Sequence, residues 1–214
     1  MNHAERRGRI MKDRGINLVL DVGANNGQFA TSLRDAGYQD RIVSFEPLSG
    51  AFADLERAAA SDPLWSCLNL ALGEENCTAV INVSANSYSS SLLGACDWSL
   101  SVEPTISVVG REEVKVRRLD SFFDEVSLPH ETLLMKVDAQ GFELPIVKGA
   151  HGIIDRLELI QLEASFRPVY RDEPPIEDLI SHMRKLDFRI VSIDPGWEDQ
   201  STHELLQVDL LFSR

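Results

Sequence analysis

Cysteine, tryptophan and tyrosine are scarce in this chain of 214 residues, which contains three of each. The cysteines, Cys67, Cys77 and Cys96, are widely spaced and form no C-x-x-C pair, which argues against a disulfide framework or a structural zinc site. No run of about 18 apolar residues occurs, and the polar N-terminus lacks the apolar segment of a signal peptide. These absences predict a soluble, cytoplasmic protein without a membrane span.

Basic residues are also few, because 21 Lys and Arg stand against 34 Asp and Glu, for a net charge of −13. Nucleic-acid-binding proteins need a basic surface that displaces counterions from phosphates, so we expect no nucleic-acid partner. One basic cluster lies near the N-terminus, and we interpret it as a solvated helix face rather than an interaction arm. Its members are Arg6, Arg7, Arg9, Lys12 and Arg14.

Apolar segments of strand length alternate with segments of helical periodicity along most of the chain. The predicted strands are 18–22, 41–45, 67–71, 133–137 and 157–162, and the predicted helices are 29–36, 50–60, 144–154 and 176–186. This order predicts an α/β fold with a mostly parallel sheet and helices on both faces. Two final strands, 189–193 and 205–212, follow each other after a short turn and are expected to pair antiparallel. No repeat or linker divides the chain, which predicts a single domain over residues 1–214.

The middle of the chain breaks the alternation. Between short predicted strands at 79–84 and 114–118, the segment 86–113 is rich in serine, poor in periodicity and contains Tyr88 and Trp98. Loops of this length in a compact domain are often lids or binding loops. We predict a substrate loop or lid at 86–113, with a plain surface insertion as the alternative.

A glycine turn follows the first predicted strand and opens the first of the predicted helices. It reads Asp21-Val22-Gly23-Ala24-Asn25-Asn26-Gly27, with Phe29 just beyond it. Such a turn offers backbone N–H groups and a helix N-terminus to a ligand, and glycine permits close approach. A dinucleotide fingerprint would need glycine at position 25. The carboxylate of Asp21 would repel a pyrophosphate but suits the ammonium of S-adenosylmethionine, directly or through water.

Glu46 ends the second predicted strand, where an acidic side chain can bind both hydroxyls of a ribose. Asn69 and Ala71 end the third strand, at the edge where an adenine would lie. An ordinary βα loop is the alternative interpretation of the glycine turn. Glu46, at this distance along the chain from the glycine turn, favours a nucleoside cofactor over that alternative.

Several motifs, in order between Leu18 and Tyr170, resemble the FkbM family of S-adenosylmethionine-dependent methyltransferases. They are the glycine turn, Phe45-Glu46-Pro47, Asn69-Leu70-Ala71-Leu72-Gly73, the serine-rich Asn86–Leu92, Arg118-Leu119-Asp120-Ser121-Phe122, Lys136-Val137-Asp138-Ala139-Gln140-Gly141-Phe142-Glu143 and Leu162-Glu163-Ala164-Ser165-Phe166. The resemblance implies the class I methyltransferase (Rossmann-like) fold, whose seven-stranded sheet has an antiparallel last strand. It also implies methyl transfer mostly to oxygen, often on a sugar or a natural product.

We assign cofactor contacts to the glycine turn and the residue Phe29 beyond it, to residues at the ends of the second and third predicted strands, and to Asp138. These residues are Asp21, Gly23, Ala24, Asn25, Gly27, Phe29, Glu46, Pro47, Asn69, Ala71 and Asp138.

Acidic residues at the carboxyl ends of predicted strands mark the expected reaction centre, because ligands of parallel α/β sheets bind there. Asp138 is our candidate for the base or the orienter of the acceptor, with a helix N-cap as the alternative. Glu163 and Glu143 are the other catalytic candidates. The three could bind Mg²⁺, but the spacing does not require it, and we predict no metal.

The sequence therefore predicts an O-methyltransferase that acts on a hydroxyl of a sugar or secondary metabolite. The acceptor is a small molecule or a glycan. A cofactor-binding partner protein without catalysis remains an alternative, as do N-methylation and, less favoured, a nicotinamide-dependent oxidoreductase. Neither the acceptor nor the oligomeric state can be deduced from the sequence, although a homodimer is one option.

Overall fold

The computed structural model describes residues 3–214, and its centre is a seven-stranded sheet. The strand order is β3-β2-β1-β7-β8-β10-β9, and β10 runs antiparallel to both of its neighbours. The bounds are β1 Leu18–Val22, β2 Arg41–Phe45, β3 Trp65–Leu68, β7 Leu133–Val137, β8 Leu157–Ser165, β9 Arg189–Pro195 and β10 Gln207–Ser213. This confirms the predicted class I sheet with one antiparallel strand.

Helices cover both faces of the sheet because the central strands are apolar on both sides. In β1, Leu18 and Leu20 pack into one core layer with α5–α7, whereas Val19 packs into the other with α1–α3. The bounds are α1 His3–Asp13, α2 Gln28–Asp35, α3 Ser49–Ala59, α4 Asp97–Val102, α5 Phe123–Val126, α6 Glu143–Gly149 and α7 Ile176–Lys185. None of these helices is long and apolar enough to cross a membrane.

A second sheet of three strands lies beside the first, in the order β4-β6-β5. Its strands are β4 Ala71–Leu72, β5 Cys77–Ser84 and β6 Val108–Arg117. The predicted single strand 67–71 is therefore wrong, since β3 ends at Leu68 and Ala71 belongs to the second sheet. The cause is Asn69, whose Nδ2 donates to the carbonyl oxygens of Glu46 (2.9 Å) and Pro47 (3.0 Å) and turns the chain out of the first sheet.

The segment 86–113 is not one long loop. It contains α4, a 3₁₀ turn at Pro104–Ile106 and the first half of β6. Ile106 is buried against Tyr170, and Trp98 stacks on Trp197 with ring centroids 6.2 Å apart. The expectation of an irregular loop is thus wrong for the second half, which is held by its own apolar contacts.

Two boundaries at the C-terminal side also differ from the prediction. Strand β8 continues to Ser165, so Glu163 lies inside the strand rather than after it. The connection between β9 and β10 runs over residues 196–206, longer than the predicted turn, with a bridge between Glu198 and Leu205. The antiparallel pairing of these strands is confirmed.

The basic cluster is not simply a solvated face of α1. Arg6 donates to the carbonyl oxygen of Val191 (3.0 Å), and Arg14 pairs with Glu158 (2.6 Å). These contacts fasten α1 across the sheet and bring Arg7, which lies between them, towards the carboxyl ends of the strands.

Candidate functional site

A cavity of about 410 Å³ opens at the carboxyl ends of β1, β2, β7 and β8. Nine of the predicted site residues line it: Gly23, Ala24, Asn25, Phe29, Glu46, Pro47, Ala71, Asp138 and Glu163. Four others do not line it: Asp21, Gly27, Asn69 and Glu143. Most of the predicted site residues therefore surround one cavity.

The two glycines of the turn allow close packing within the protein. Both have positive φ, +72° at Gly23 and +91° at Gly27. A Cβ at Gly23 would overlap the carbonyl oxygen of Asp138, and one at Gly27 would lie 2.8 Å from the Trp65 ring. Gly23 therefore lets the turn pack directly against the loop that carries Asp138, and Gly27 has a packing role instead of the expected ligand contact.

Asp21 lies below the cavity rather than in it. Its side chain is fully buried, with Oδ1 3.3 Å from Lys136 Nζ and Oδ2 accepting from Ser44 Oγ at 3.2 Å. Burial raises the pKa of Asp21, which the charge of Lys136 opposes. Asp21 thus pairs with Lys136 and does not line the cavity. Its contact with a cofactor ammonium, directly or through water, stays a prediction.

Lys136 connects this buried carboxylate to the cavity. Its Nζ donates to the carbonyl oxygen of Gly23 (3.2 Å) and lies 3.5 Å from Asp138 Oδ2. Burial alone would lower the pKa of Lys136, but the carboxylates of Asp138 and Asp21 outweigh it and raise that pKa. A charged ammonium thus holds the Asp138 side chain beside the glycine turn.

Glu46 is held at the cavity wall by two backbone amides. Its Oε2 accepts from Asn25 N and its Oε1 from Leu48 N, both at 2.8 Å. Burial raises the pKa of Glu46 to about 7, although these bonds oppose the shift. Each carboxylate oxygen keeps a further lone pair, so Glu46 can still accept from the hydroxyls of a ligand. Asn69 fixes the adjoining backbone and has a structural role.

Asp138 and Glu163 are joined by Gln140, which the site prediction omitted. Gln140 Nε2 donates to Asp138 Oδ1 at 2.7 Å and to Glu163 Oε2 at 2.9 Å. Burial, followed by the charges of Asp138 and Glu143, raises the pKa of Glu163 well above its usual value. Glu163 is therefore suited to remain neutral in this position.

Glu143 stands behind the loop rather than in the cavity. Its Oε1 accepts from Ala139 N (2.8 Å) and Gly141 N (3.3 Å), and burial raises its pKa to about 8. Glu143 does not line the cavity and shapes the loop after β7. Its catalytic role stays a prediction. Residues 3–214 contain no group of three or more His, Cys, Asp or Glu placed to hold a metal ion.

Sequence reasoning missed six further polar residues that line the cavity: Arg7, Gln28, Lys136, Gln140, Gln161 and Asp209. For Lys136, Gln161 and Asp209 a signal was present, since each interrupts an apolar strand that offers no other reason for a polar side chain. Arg7 left no signal, because only the folded chain brings α1 to the cavity.

The fold is shared with solved methyltransferase structures at low sequence identity. A Listeria monocytogenes protein assigned as an S-adenosylmethionine-dependent methyltransferase is 8% identical with a TM-score of 0.54, and the match covers 99% of this chain and 98% of that one. A Pyrococcus horikoshii protein assigned as an RNA methyltransferase is 10% identical with a TM-score of 0.51, covering 100% and 83%. The METTL16 methyltransferase domain is 9% identical with a TM-score of 0.54, covering 99% and 65%.

No curated protein matches the chain at a significant level. The sequence nevertheless matches a family model over residues 21–190, which include the glycine turn, Glu46, the Asp138 loop and Glu163. That model is described as the Methyltransferase FkbM domain. The chain therefore belongs to the FkbM methyltransferase family.

Proposed function

We propose that this protein is an S-adenosylmethionine-dependent O-methyltransferase of the cytoplasm that methylates a hydroxyl of a sugar or another hydroxyl-rich small molecule. The observation that carries the proposal is the division of one cavity between two sets of carboxylates. Glu46 follows the end of β2, whereas Asp138 follows the end of β7 and lies beside Glu163 of β8.

The residues present fit this cofactor. Glu46 has lone pairs for the ribose hydroxyls, and the wall beside it is apolar enough for an adenine. That wall consists of Leu48, Leu70, Ala71, Leu72, Ile81 and Phe142. The turn at Gly23–Asn25 and the guanidinium of Arg7 would hold the amino-acid tail. When bound, the cofactor would supply a sulfonium methyl group, whose carbon an acceptor oxygen could attack with the neutral thioether as the leaving group.

Asp138 is the proposed acceptor of the hydroxyl proton. Lys136 and Gln140 each hold one of its carboxylate oxygens, so the group is oriented before the acceptor arrives. Positioning of this kind, together with a base, contributes several kcal/mol to catalysis in general. Glu163 supplies a neutral neighbour that can hydrogen-bond to the acceptor.

The other half of the cavity favours a hydroxyl-rich acceptor over a flat aromatic one. Its wall carries Gln28, Ser90, Gln161, Glu163 and Asp209, a mixture of donors and acceptors. Each sugar hydroxyl both donates and accepts, so such a wall can be satisfied by a polyol. The net charge of −13 supports a small molecule rather than a nucleic acid as substrate.

Calorimetric titration of S-adenosylhomocysteine, with NAD as the comparison ligand, tests the proposal. We expect the first ligand to bind and NAD not to bind. Glu46→Ala should weaken binding tenfold or more, since a hydrogen bond to a charged group contributes about 1.5–3 kcal/mol. Glu56→Ala, an equal charge change on the exposed side of α3, should leave the affinity unchanged.

Binding of NAD instead would contradict the assignment of the glycine turn, and failure of both ligands would contradict the enzyme. Once the cofactor is established, a labelled methyl donor and a panel of sugars, phenols and amines identify the acceptor. Methylation of amines alone would refute transfer to oxygen.

A further inference from the structure

We propose that Gln140 is a positioning residue for methyl transfer, which holds the carboxyl groups of Asp138 and Glu163 together as one pair and is itself held by the Tyr170 hydroxyl. The inference rests on the proposed function, because it assigns a role within the same cavity. Gln140 would influence methyl transfer indirectly, by positioning Asp138 and Glu163.

The side-chain amide of Gln140 makes three hydrogen bonds, two through its NH₂ group and one through its oxygen. The NH₂ group has two hydrogens, and the two carboxylates accept them, Asp138 at 2.7 Å and Glu163 at 2.9 Å. On the other side, Oε1 accepts from the Tyr170 hydroxyl at 2.8 Å. Rotating the amide by 180° would turn its oxygen towards the two carboxyl groups and lose both of these bonds, so the carboxyl groups determine which way the amide faces and the hydroxyl holds its other end.

The backbone of Gln140 is also constrained. Its φ is +55°, in the left-handed region that side-chain-bearing residues rarely adopt. Its carbonyl oxygen accepts from Ser91 Oγ at 2.7 Å. Strained positions of this kind persist when their surroundings over-determine them, and they concentrate at functional sites.

Tyr170 connects the carboxylate pair to the serine-rich segment that borders the cavity. Its single hydroxyl hydrogen faces two acceptors, Gln140 Oε1 and the carbonyl oxygen of Ser89, the latter at 3.0 Å. Burial raises the pKa of Tyr170, so the hydroxyl remains a donor at neutral pH. Loss of this hydroxyl would release the amide without adding charge or bulk.

The test uses two ligands that differ at one place. Sinefungin carries an amine where the cofactor has its transferable methyl, whereas S-adenosylhomocysteine carries nothing there. The ratio of their affinities therefore reports how well carboxylates are placed at the reacting position, with no need for a known acceptor. In the wild type we expect sinefungin to bind more tightly.

Gln140→Met and Tyr170→Phe should each lower this ratio fivefold or more, while the affinity for S-adenosylhomocysteine changes less than twofold. Asp138→Asn should lower the ratio at least as much. Tyr38→Phe is the matched control, because it removes a hydroxyl that donates to Arg41 O (3.3 Å), at the start of β2 and away from the cavity. It should change neither affinity.

An unchanged ratio in both Gln140→Met and Tyr170→Phe overturns the proposal. An unchanged ratio in Asp138→Asn overturns the location of the pair beside the methyl, on which the proposal depends. Absence of S-adenosylhomocysteine binding in the wild type is a different result and refutes the proposed function itself. Thermal unfolding of each variant identifies effects of misfolding, and Tyr170→Phe remains informative if Gln140→Met does not fold.

Discussion

Lys136 and Asp21 form an ion pair beneath the floor of the cavity, with Nζ 3.3 Å from Oδ1 and both side chains buried. Removing one partner of a buried pair leaves the other charge without compensation, which typically costs 3–5 kcal/mol. We predict that Lys136→Met lowers the free energy of unfolding by about 3 kcal/mol. Urea denaturation at pH 7 measures it.

A double variant distinguishes loss of the Lys136–Asp21 charge pair from loss of side-chain packing as the cause of the lower stability. Lys136→Met combined with Asp21→Asn removes both charges, and it should recover at least half of the lost stability. Additive losses in the double variant would show that the two charges do not compensate each other.

Arg7 is the cation available for the carboxylate of a bound amino-acid tail. Among the residues described along the cavity wall, Arg7 and Lys136 carry positive charge, and Lys136 is already paired with two carboxylates. We predict that Arg7→Met weakens S-adenosylhomocysteine binding about tenfold, equivalent to about 1.4 kcal/mol. Calorimetry with 5′-methylthioadenosine, which lacks the tail, should show no loss.

Arg9→Met is the control for this prediction, because Arg9 is exposed on the same helix. Equal losses for both ligands in Arg7→Met would mean that Arg7 supports the cavity as a whole and does not recognise the tail.

Cofactor affinity should depend on pH through Glu46. Its pKa of about 7 means that the carboxylate, the better hydrogen-bond acceptor, becomes the main form as pH rises through neutrality. We predict that the affinity for S-adenosylhomocysteine increases between pH 6 and pH 8, by up to about tenfold. In Glu46→Gln the curve over this range should be flat. A slope that persists in the variant would assign the titration to another group.

Glu143 should make the protein less stable as pH rises. Its pKa is about 8 in the folded protein and about 4.3 in an unfolded chain, so between these values the folded state holds a proton that the unfolded state has lost. Its contribution to the free energy of unfolding therefore falls as pH rises from about 4.3 to 8, and is constant above that range.

Glu143→Gln keeps an oxygen for Ala139 N and Gly141 N but does not titrate. We predict similar stability to the wild type at pH 4.5 and higher stability at pH 8, by roughly 1.4 kcal/mol for each unit of pKa shift removed. Parallel pH–stability curves for the two proteins would contradict a buried, neutral Glu143.

Local sequence predicts the strands on which the cavity stands. The bounds of β1, β2 and β7 coincide with their apolar segments because each strand is buried on both faces and ends at a turn. The break at Asn69 was not predictable, since its side chain acts on carbonyl groups 22 and 23 residues away in the chain. Strand length in the second sheet likewise depends on tertiary pairing.

For the site, the end of a predicted strand indicates at which edge of the sheet a side chain lies, but it does not indicate whether that side chain points into the cavity. Glu46, Asp138 and Glu163 reach the cavity. Asp21, on the neighbouring strand, and Glu143, in the first turn of α6, point away from it. Gln140 lies in the motif between Asp138 and Glu143, whose acidic residues were the site candidates. Its side chain bridges Asp138 and Glu163, a contact that depends on the folded structure and cannot be deduced from sequence spacing. Arg7 enters only through the docking of α1.

The contact between Gly23 and the Asp138 carbonyl has an evolutionary consequence. Because no side chain fits at position 23 without moving that carbonyl, the cofactor turn and the loop of the proposed base cannot diversify independently. Under the proposed function, we expect substitutions on β10 and in the serine-rich segment to change the acceptor, whereas the backbone between the glycine turn and the Asp138 loop stays constant. Acceptor range and reaction geometry would then evolve through separate parts of the chain.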